Sequence, residues 1–193
     1  MQLQHRFAKC LLATAVLAMC GAAHAGLNGQ SFDGYYALPD PSNEYAGSVS
    51  APPSFTVGAG LETTITIEGV TSFAVDFSDA SLDVVFATSL TDPVLGAQPF
   101  SGLVFNLLSP GPLGITSAQV GAGTTLAGFD ASRIGITDGR ITLDFNGLSY
   151  QDGSQVSIDF ASVSAVPEPS SYVLLFAGLA AVGAVAARRK ARG

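Results

Sequence analysis

The chain has 193 residues, 48% of them hydrophobic, and a formal net charge of −7 at pH 7. Residues 26–166 contain no Cys, His, Lys or Trp, and they carry 14 carboxylates against two arginines, a side-chain charge of −12. This composition excludes disulfides, catalysis that relies on His or Lys, and zinc sites built on His or Cys from that segment. The negative charge disfavours nucleic acid as a partner. It suits divalent cations or neutral polymers, or simply maintains solubility.

The first 25 residues have the order of a secretory signal peptide. Residues 1–9 carry two basic side chains, and an apolar stretch follows from Cys10 to Ala23. The tripeptide Ala23-His24-Ala25 has the small-x-small pattern of a cleavage site. We therefore predict cleavage after Ala25, which makes Gly26 the first residue of the mature chain.

Two other interpretations of this N-terminal segment stay open. The first is an uncleaved membrane anchor, for which 14 apolar residues are short. The second is a lipoprotein signal, because Leu17-Ala18-Met19-Cys20 resembles a box that ends in a lipidated cysteine. Met19 is bulkier than the small residue usual at that position.

Between residues 26 and 161, apolar and polar side chains alternate in six short runs. Alternation with a period of two is typical of half-buried antiparallel strands, which place one face against a core and the other in solvent. The apolar positions of the runs are Ile65 and Ile67; Phe73, Val75 and Phe77; Leu82, Val84 and Phe86; Leu103, Phe105 and Leu107; Ile141, Leu143 and Phe145; and Val156, Ile158 and Phe160.

Turn-forming residues separate these runs. The signals are Asp40-Pro41, Pro52-Pro53, Glu68-Gly69, Asp92-Pro93, Pro110-Gly111-Pro112, Asp138-Gly139, Asn146-Gly147 and Asp152-Gly153. Short strands at such spacing predict an all-β protein, with one β-sandwich or jelly-roll-like domain over residues 26–161. A chain of this length buries a core without disulfides.

Residues 34–53 are rich in Tyr, Pro, Ser and Asn, and Tyr35, Tyr36 and Tyr45 lie close together in the sequence. We interpret this segment as a long loop or an edge region. Exposed tyrosines stack on the apolar faces of sugar rings, whereas tyrosines within a strand pack partly inside a sandwich. The second arrangement is the more common one, and the sequence leaves both open.

Aspartates provide the candidate metal ligands, because hard oxygen ligands for Ca²⁺ come from loops of this kind. No D-x-[DN]-x-[DN]-G loop is present, so calcium is the one cofactor kept open and its ligands are unknown. The aspartates considered are Asp76, Asp79 and Asp83, and Asp138, Asp144 and Asp152.

The last 28 residues consist of three consecutive segments. Val166, Pro167, Glu168 and Pro169 form a rigid turn, inside a linker predicted at residues 162–171. Residues 171–187 are apolar and predict a transmembrane helix of roughly 25 Å, slightly short of a bilayer core of about 30 Å. Basic residues follow within the tail 188–193 and predict a cytoplasmic stop signal, namely Arg188, Arg189, Lys190 and Arg192.

In this order, residues 166–193 closely resemble the PEP-CTERM sorting signal of Gram-negative bacteria, a tail also labelled the ice-binding protein C-terminal domain. The resemblance implies that Pro167, Glu168 and Pro169 are recognised by an exosortase, a membrane cysteine protease-transpeptidase. It also implies a precursor anchored in the inner membrane and facing the periplasm, which reaches the cell surface or the medium after processing. Ice binding does not carry over, because the sequence has no repeated Thr-x-Thr ladder.

The sequence therefore predicts a non-enzymatic surface or extracellular-matrix protein. Its expected partners are the exosortase, the export machinery, the inner membrane and, since such tails accompany biofilm-matrix systems, exopolysaccharide. One alternative is a carbohydrate- or calcium-dependent binding module. The other is a secreted hydrolase that uses two carboxylates, although acidic residues of suitable spacing arise by chance in so acidic a chain.

Overall fold

Eleven strands lie between residues 31 and 162 in the computed structural model, which describes residues 26–162 and 177–178. A short 3-10 helix spans Ala131–Arg133. The strands are β1 (Ser31–Ala37), β2 (Ser48–Ala51), β3 (Ser54–Thr56), β4 (Thr63–Ile67), β5 (Thr71–Phe77), β6 (Ser81–Thr88), β7 (Gly102–Leu107), β8 (Ile115–Val120), β9 (Ile134–Thr137), β10 (Arg140–Asp144) and β11 (Gln155–Ser162).

The strands form two sheets. Sheet A has the order β3-β1-β7-β10-β9, and sheet B has the order β2-β4-β5-β6-β11-β8. Every pairing in both sheets is antiparallel. The predicted all-β class is confirmed, and the two sheets pack face to face like a sandwich.

Phenylalanine rings join the two sheets across the core. Phe77 of β5 stacks on Phe32 of β1 with ring centroids 5.3 Å apart, and it meets the edge of Phe105 of β7 at 5.2 Å. Phe73 stacks on Phe145 at 5.9 Å. Each such pair adds about 0.5–1.5 kcal/mol to the free energy gained by burial. The apolar positions of the six alternating runs face this core, and all but Ile67 and Leu107 are buried.

All eight predicted turns lie between strands. At Glu68 and Gly69, φ is +50° and +68°, so the hairpin between β4 and β5 has the mirror-image turn that matches strand twist. At Pro52-Pro53 the chain leaves sheet B, where β2 pairs with β4, and enters sheet A, where β3 pairs with β1. Such a bend is one way to form the corner of a sandwich.

The tyrosine-rich segment departs from the predicted loop or edge region. Its first residues belong to β1, which lies inside sheet A between β3 and β7. Alternation in β1 is hard to recognise because Gly34 occupies an inward position. A Cβ at Gly34 would approach the Phe105 ring to 3.0 Å, so the neighbouring rings fill this site instead of a side chain. The edge prediction holds for β2, which is the outermost strand of sheet B.

Besides β1, four strands have no alternating run in the sequence, namely β2, β3, β8 and β9, and each of these four is an edge strand of its sheet. An edge strand has a neighbouring strand on one side only, and these four contribute few side chains to the core. Their sequences consequently lack the strong alternation of the central strands. β2 and β8 contain partly buried and exposed residues and no fully buried one.

The predicted signal peptide and most of the predicted C-terminal span lie outside the described residues. Ala177 and Gly178 are helical. Within the part of the chain that the structure describes, no helix combines the length and the apolar character needed to cross a bilayer.

Candidate functional site

A polar cluster lies on the outer face of sheet A. The strand register places Asp33 of β1 opposite Asn106 of β7, and Asn106 opposite Arg140 of β10. Their sequence neighbours point into the core, so these three side chains point outward. Tyr35, two residues after Asp33, lies on the same face. We term these four residues the outer polar cluster.

Asn106 connects the two charged members of this cluster. Its Nδ2 donates to Asp33 Oδ1 at 2.8 Å, while its Oδ1 accepts from Arg140 Nε at 2.7 Å. The same Nδ2 lies 3.3 Å from the Tyr35 hydroxyl, which donates to the Pro41 carbonyl oxygen at 3.1 Å. A carboxylate acceptor on one side and a guanidinium donor on the other fix the orientation of the amide.

Apolar contacts hold the tyrosine of the cluster in place. Tyr35 packs against Ala37, Phe100 and Val104, which form a small apolar group apart from the main core. The cluster thus presents a carboxylate, an amide, a guanidinium and a phenol on a half-buried surface. Such groups bind a polyhydroxylated ligand through directed hydrogen bonds. The cluster contains one carboxylate, whereas glycoside hydrolysis requires two.

The other two predicted tyrosines have structural contacts. Tyr36 lies in the core, stacks on Phe73 at 5.7 Å, and shares a hydrogen bond with Ser101 Oγ at 2.6 Å. Burial raises the pKa of Tyr36 to about 12. Tyr45 donates to the Glu68 carboxylate, which raises the pKa of Tyr45 and ties the loop after β1 to the β4–β5 turn. The three tyrosines therefore do not form one sugar-stacking surface.

The first group of predicted calcium ligands is only partly brought together. Asp76 of β5 and Asp83 of β6 lie directly opposite each other on the outer face of sheet B. Asp79 lies in the β5–β6 turn, next to Gly26. In the second group, Asp138 and Asp144 lie at opposite ends of β10. Among residues 26–162 and 177–178, no three His, Cys, Asp or Glu side chains gather into a metal site.

The residues predicted for sorting and cleavage lie almost entirely outside the described residues. Gly26 is the exception. A Cβ at Gly26 would collide with the Asp79 carboxylate, and the Leu27 amide donates to the Asp79 carbonyl at 3.0 Å. The predicted mature chain thus enters the fold at its first residues. The predicted sorting and cleavage residues that lie outside the described residues are Ala23, Ala25, Val166, Pro167, Glu168, Pro169, Arg188, Arg189, Lys190 and Arg192.

Sequence reasoning singled out Tyr35 but missed Asp33, Asn106 and Arg140. Residues 26–166 contain two arginines, and this rarity is the one sequence signal that points to Arg140. The other, Arg133, donates from Nη1 to the carbonyl oxygens of Asp144 and Asn146 at 3.2 and 3.0 Å, so it stabilises the turn after β10.

Comparison with known proteins identifies the tail. A family model of the PEP-CTERM protein-sorting motif matches residues 165–190. No curated protein and no solved structure matches the chain. The matched residues include the Pro167–Pro169 tripeptide, the apolar segment and three of the four basic residues that follow it. The tail is therefore a PEP-CTERM protein-sorting motif, and it marks this chain as an exported protein whose membrane-anchored precursor is sorted by an exosortase.

Proposed function

We propose that the domain over residues 26–162 is a non-enzymatic surface or matrix component that is retained near exopolysaccharide after processing. The observation that carries this proposal is the sorting motif at residues 165–190. The signal peptide delivers the domain to the periplasm, and residues 171–187 anchor it in the inner membrane. The basic tail stays in the cytoplasm. An acidic domain without His, Cys or Lys suits a binding or structural role.

The Pro167-Glu168-Pro169 tripeptide has the physical properties of a protease recognition segment. Proline fixes φ near −65°, and it disfavours helix at the residue before it. Proline therefore favours an extended backbone at Val166 and Glu168, and a protease substrate is bound in an extended conformation. Glu168 offers one negative charge to a basic pocket of the processing enzyme.

Mass spectrometry of the exported protein tests the sorting step. We expect the cell-associated precursor to contain residues 188–193 and the surface or released form to lack them. Glu168→Gln should slow the conversion, because it removes the charge but keeps the shape. Glu44→Gln, at an exposed position of the domain, is the matched control and should leave the rate of conversion unchanged. An intact C-terminus on the released protein would overturn the processing step.

The outer polar cluster favours a second candidate function, a carbohydrate-binding module. Hydrogen bonds within the cluster preorganise Asp33, Asn106 and Arg140, so little side-chain entropy is lost on binding. The side-chain charge of −12 favours a neutral glycan over an anionic one. Of the tyrosines between residues 26 and 162, Tyr35 is the one that lies on this face.

Glycan-array binding by the processed protein tests this candidate. Arg140→Gln should weaken binding at least about tenfold, as expected for loss of a charge-assisted hydrogen bond. Asp159→Asn on the outer face of sheet B is the control, and thermal unfolding shows whether each variant is folded. Undiminished binding by Arg140→Gln would exclude the cluster as the site. Tyr36 is unsuitable for such a test, because its truncation would leave a cavity in the core.

The non-enzymatic role has its own test. A broad screen with glycan, ester and peptide substrates should detect no hydrolysis by the processed protein. Hydrolysis that disappears when one Asp or Glu is replaced by Asn or Gln would establish a carboxylate-dependent hydrolase instead.

A further inference from the structure

Both termini of the described domain lie at one end of the sandwich. Gly26 and Ser162 line the same small cavity, together with Asp79 of the β5–β6 turn. The strand register also places both termini at this end. The start of β1 pairs with the end of β7, and the end of β11 pairs with the start of β8. The loop at residues 108–114 joins β7 to β8. We term this region the tether end; its loops are residues 57–62, 78–80, 108–114 and 138–139.

The loop between β7 and β8 presents uncharged apolar surface at the tether end. Leu108 is 53% exposed, and Pro110 and Pro112 are exposed as well. In the loop before β4, Leu61 is 59% exposed. A large apolar side chain that stays in water is unfavourable, so the two leucines and the neighbouring prolines are available for a contact. The opposite end also exposes Val70, Leu90 and Val94, so the attachment of the linker decides which end lies nearer the membrane.

Hydrogen bonds at both ends of this loop hold Leu108 outward. The Leu108 amide donates to the Ser31 carbonyl oxygen at 2.7 Å, and the Leu113 amide donates to the Asp138 carbonyl oxygen at 2.7 Å. The Leu113 side chain is buried in the core and anchors the far end of the loop. Leu108 is thus part of a fixed surface, and its exposure does not depend on a loose loop.

The length of chain that follows Ser162 indicates what this surface meets. Eight residues separate Ser162 from the predicted span at residue 171. Fully extended, they reach at most about 29 Å. In the anchored precursor, the tether end therefore cannot move farther from the span than this length, whereas the loops at the other end lie a strand length farther from the point of attachment.

The charges at the tether end indicate which lipid surface it fits. Asp79 and Asp138 are exposed at this end, and the domain as a whole is strongly acidic. An anionic bilayer would repel it. A zwitterionic surface accepts proline and leucine side chains without that penalty.

We propose that the loop at residues 108–112 rests on the zwitterionic lipid surface while the precursor is anchored, with Leu108 in contact with lipid. This inference depends on the proposed anchoring by residues 171–187. It adds an orientation, in which the tether end faces the membrane and the outer polar cluster lies on the side of the domain, on the adjoining part of sheet A. Processing would then release an end whose apolar loop had been covered.

The chain contains no tryptophan, so a single introduced one reports on its own surroundings. The full chain with Leu108→Trp is reconstituted in phosphatidylcholine vesicles, with and without brominated lipid as a quencher. The matched control is Val94→Trp, because Val94 is 60% exposed in the β6–β7 loop at the opposite end. We expect severalfold stronger quenching for Leu108→Trp, and weaker quenching when the vesicles contain phosphatidylglycerol.

Flotation with the vesicles separates the two proposals. If the chain floats and the two tryptophans are quenched equally, the surface contact is overturned and the anchoring stands. If the chain does not float, the anchoring fails and the surface contact fails with it. Equal urea midpoints for the two variants show that neither substitution has disturbed the fold.

Discussion

Tyr36 places an ionisable phenol in the core, where it is 2% exposed. Its hydroxyl is satisfied by Ser101, but burial disfavours the phenolate and raises the pKa of Tyr36 to about 12. An unfolded tyrosine titrates near pH 10. Between these values the unfolded chain loses a proton that the folded chain keeps, so stability falls as pH rises. The loss reaches roughly 3 kcal/mol at most.

Tyr36→Phe should separate the contribution of the hydrogen bond to Ser101 from that of the ionisation of the buried phenol. Near neutral pH we expect a cost of about 1 kcal/mol, because Ser101 loses its partner. At alkaline pH the variant should lose less stability than the wild type, since it has no buried phenol to ionise. Urea unfolding across about pH 7 to 11 measures both quantities. An unchanged alkaline decline in Tyr36→Phe would show that another group is responsible.

At the scale of elements, the pairing of β5 with β6 sets two carboxylates face to face. Asp76 and Asp83 are directly opposite on the outer face of sheet B, and Asp83 accepts a hydrogen bond from Gln155 at 3.2 Å. Like charges in directly opposite positions destabilise an antiparallel pair. The six-stranded sheet therefore carries a local repulsion that the rest of the fold must offset.

Asp76→Asn should stabilise the protein by about 0.2–1 kcal/mol at low salt. The gain should shrink in concentrated salt, which screens the repulsion. Asp159→Asn is the matched control, because it changes net charge equally while Asp159 lies opposite Ser81 and Gln119. Thermal unfolding of both variants at two salt concentrations measures the change in stability and its dependence on salt. An equal gain in the control would attribute the effect to net charge rather than to strand pairing.

At the scale of the whole molecule, residues 26–162 form a continuous apolar core among themselves. Phe73 illustrates this, since its ring contacts Tyr36, Phe86 and Phe145, which come from β1, β6 and the turn after β10. Deletion of residues 171–193 should therefore leave cooperative urea unfolding with an unchanged midpoint. Phe73→Ala in the shortened chain is the positive control, with an expected loss of about 3–5 kcal/mol. Broad, non-cooperative unfolding of the shortened chain would mean that the tail takes part in the fold.

Local patterns in the sequence were sufficient for the central strands and for the sorting tail. The six alternating runs lie in β4, β5, β6, β7, β10 and β11, because a buried strand must place an apolar residue at every second position. The sorting motif is equally local, since it consists of a turn, an apolar segment and a basic cluster in consecutive order.

Only the tertiary structure decided which side chains meet. Asp33 and Asn106 are 73 residues apart and Asn106 and Arg140 are 34 apart, yet strand register joins them in one cluster. The same register turns Tyr36 inward and Tyr35 outward, and it brings Gly26 and Ser162 to one end. Register arises from pairing between distant segments, and a shift of one residue would exchange the two faces of a strand. No local pattern contains that information, so the candidate site emerged only from the fold.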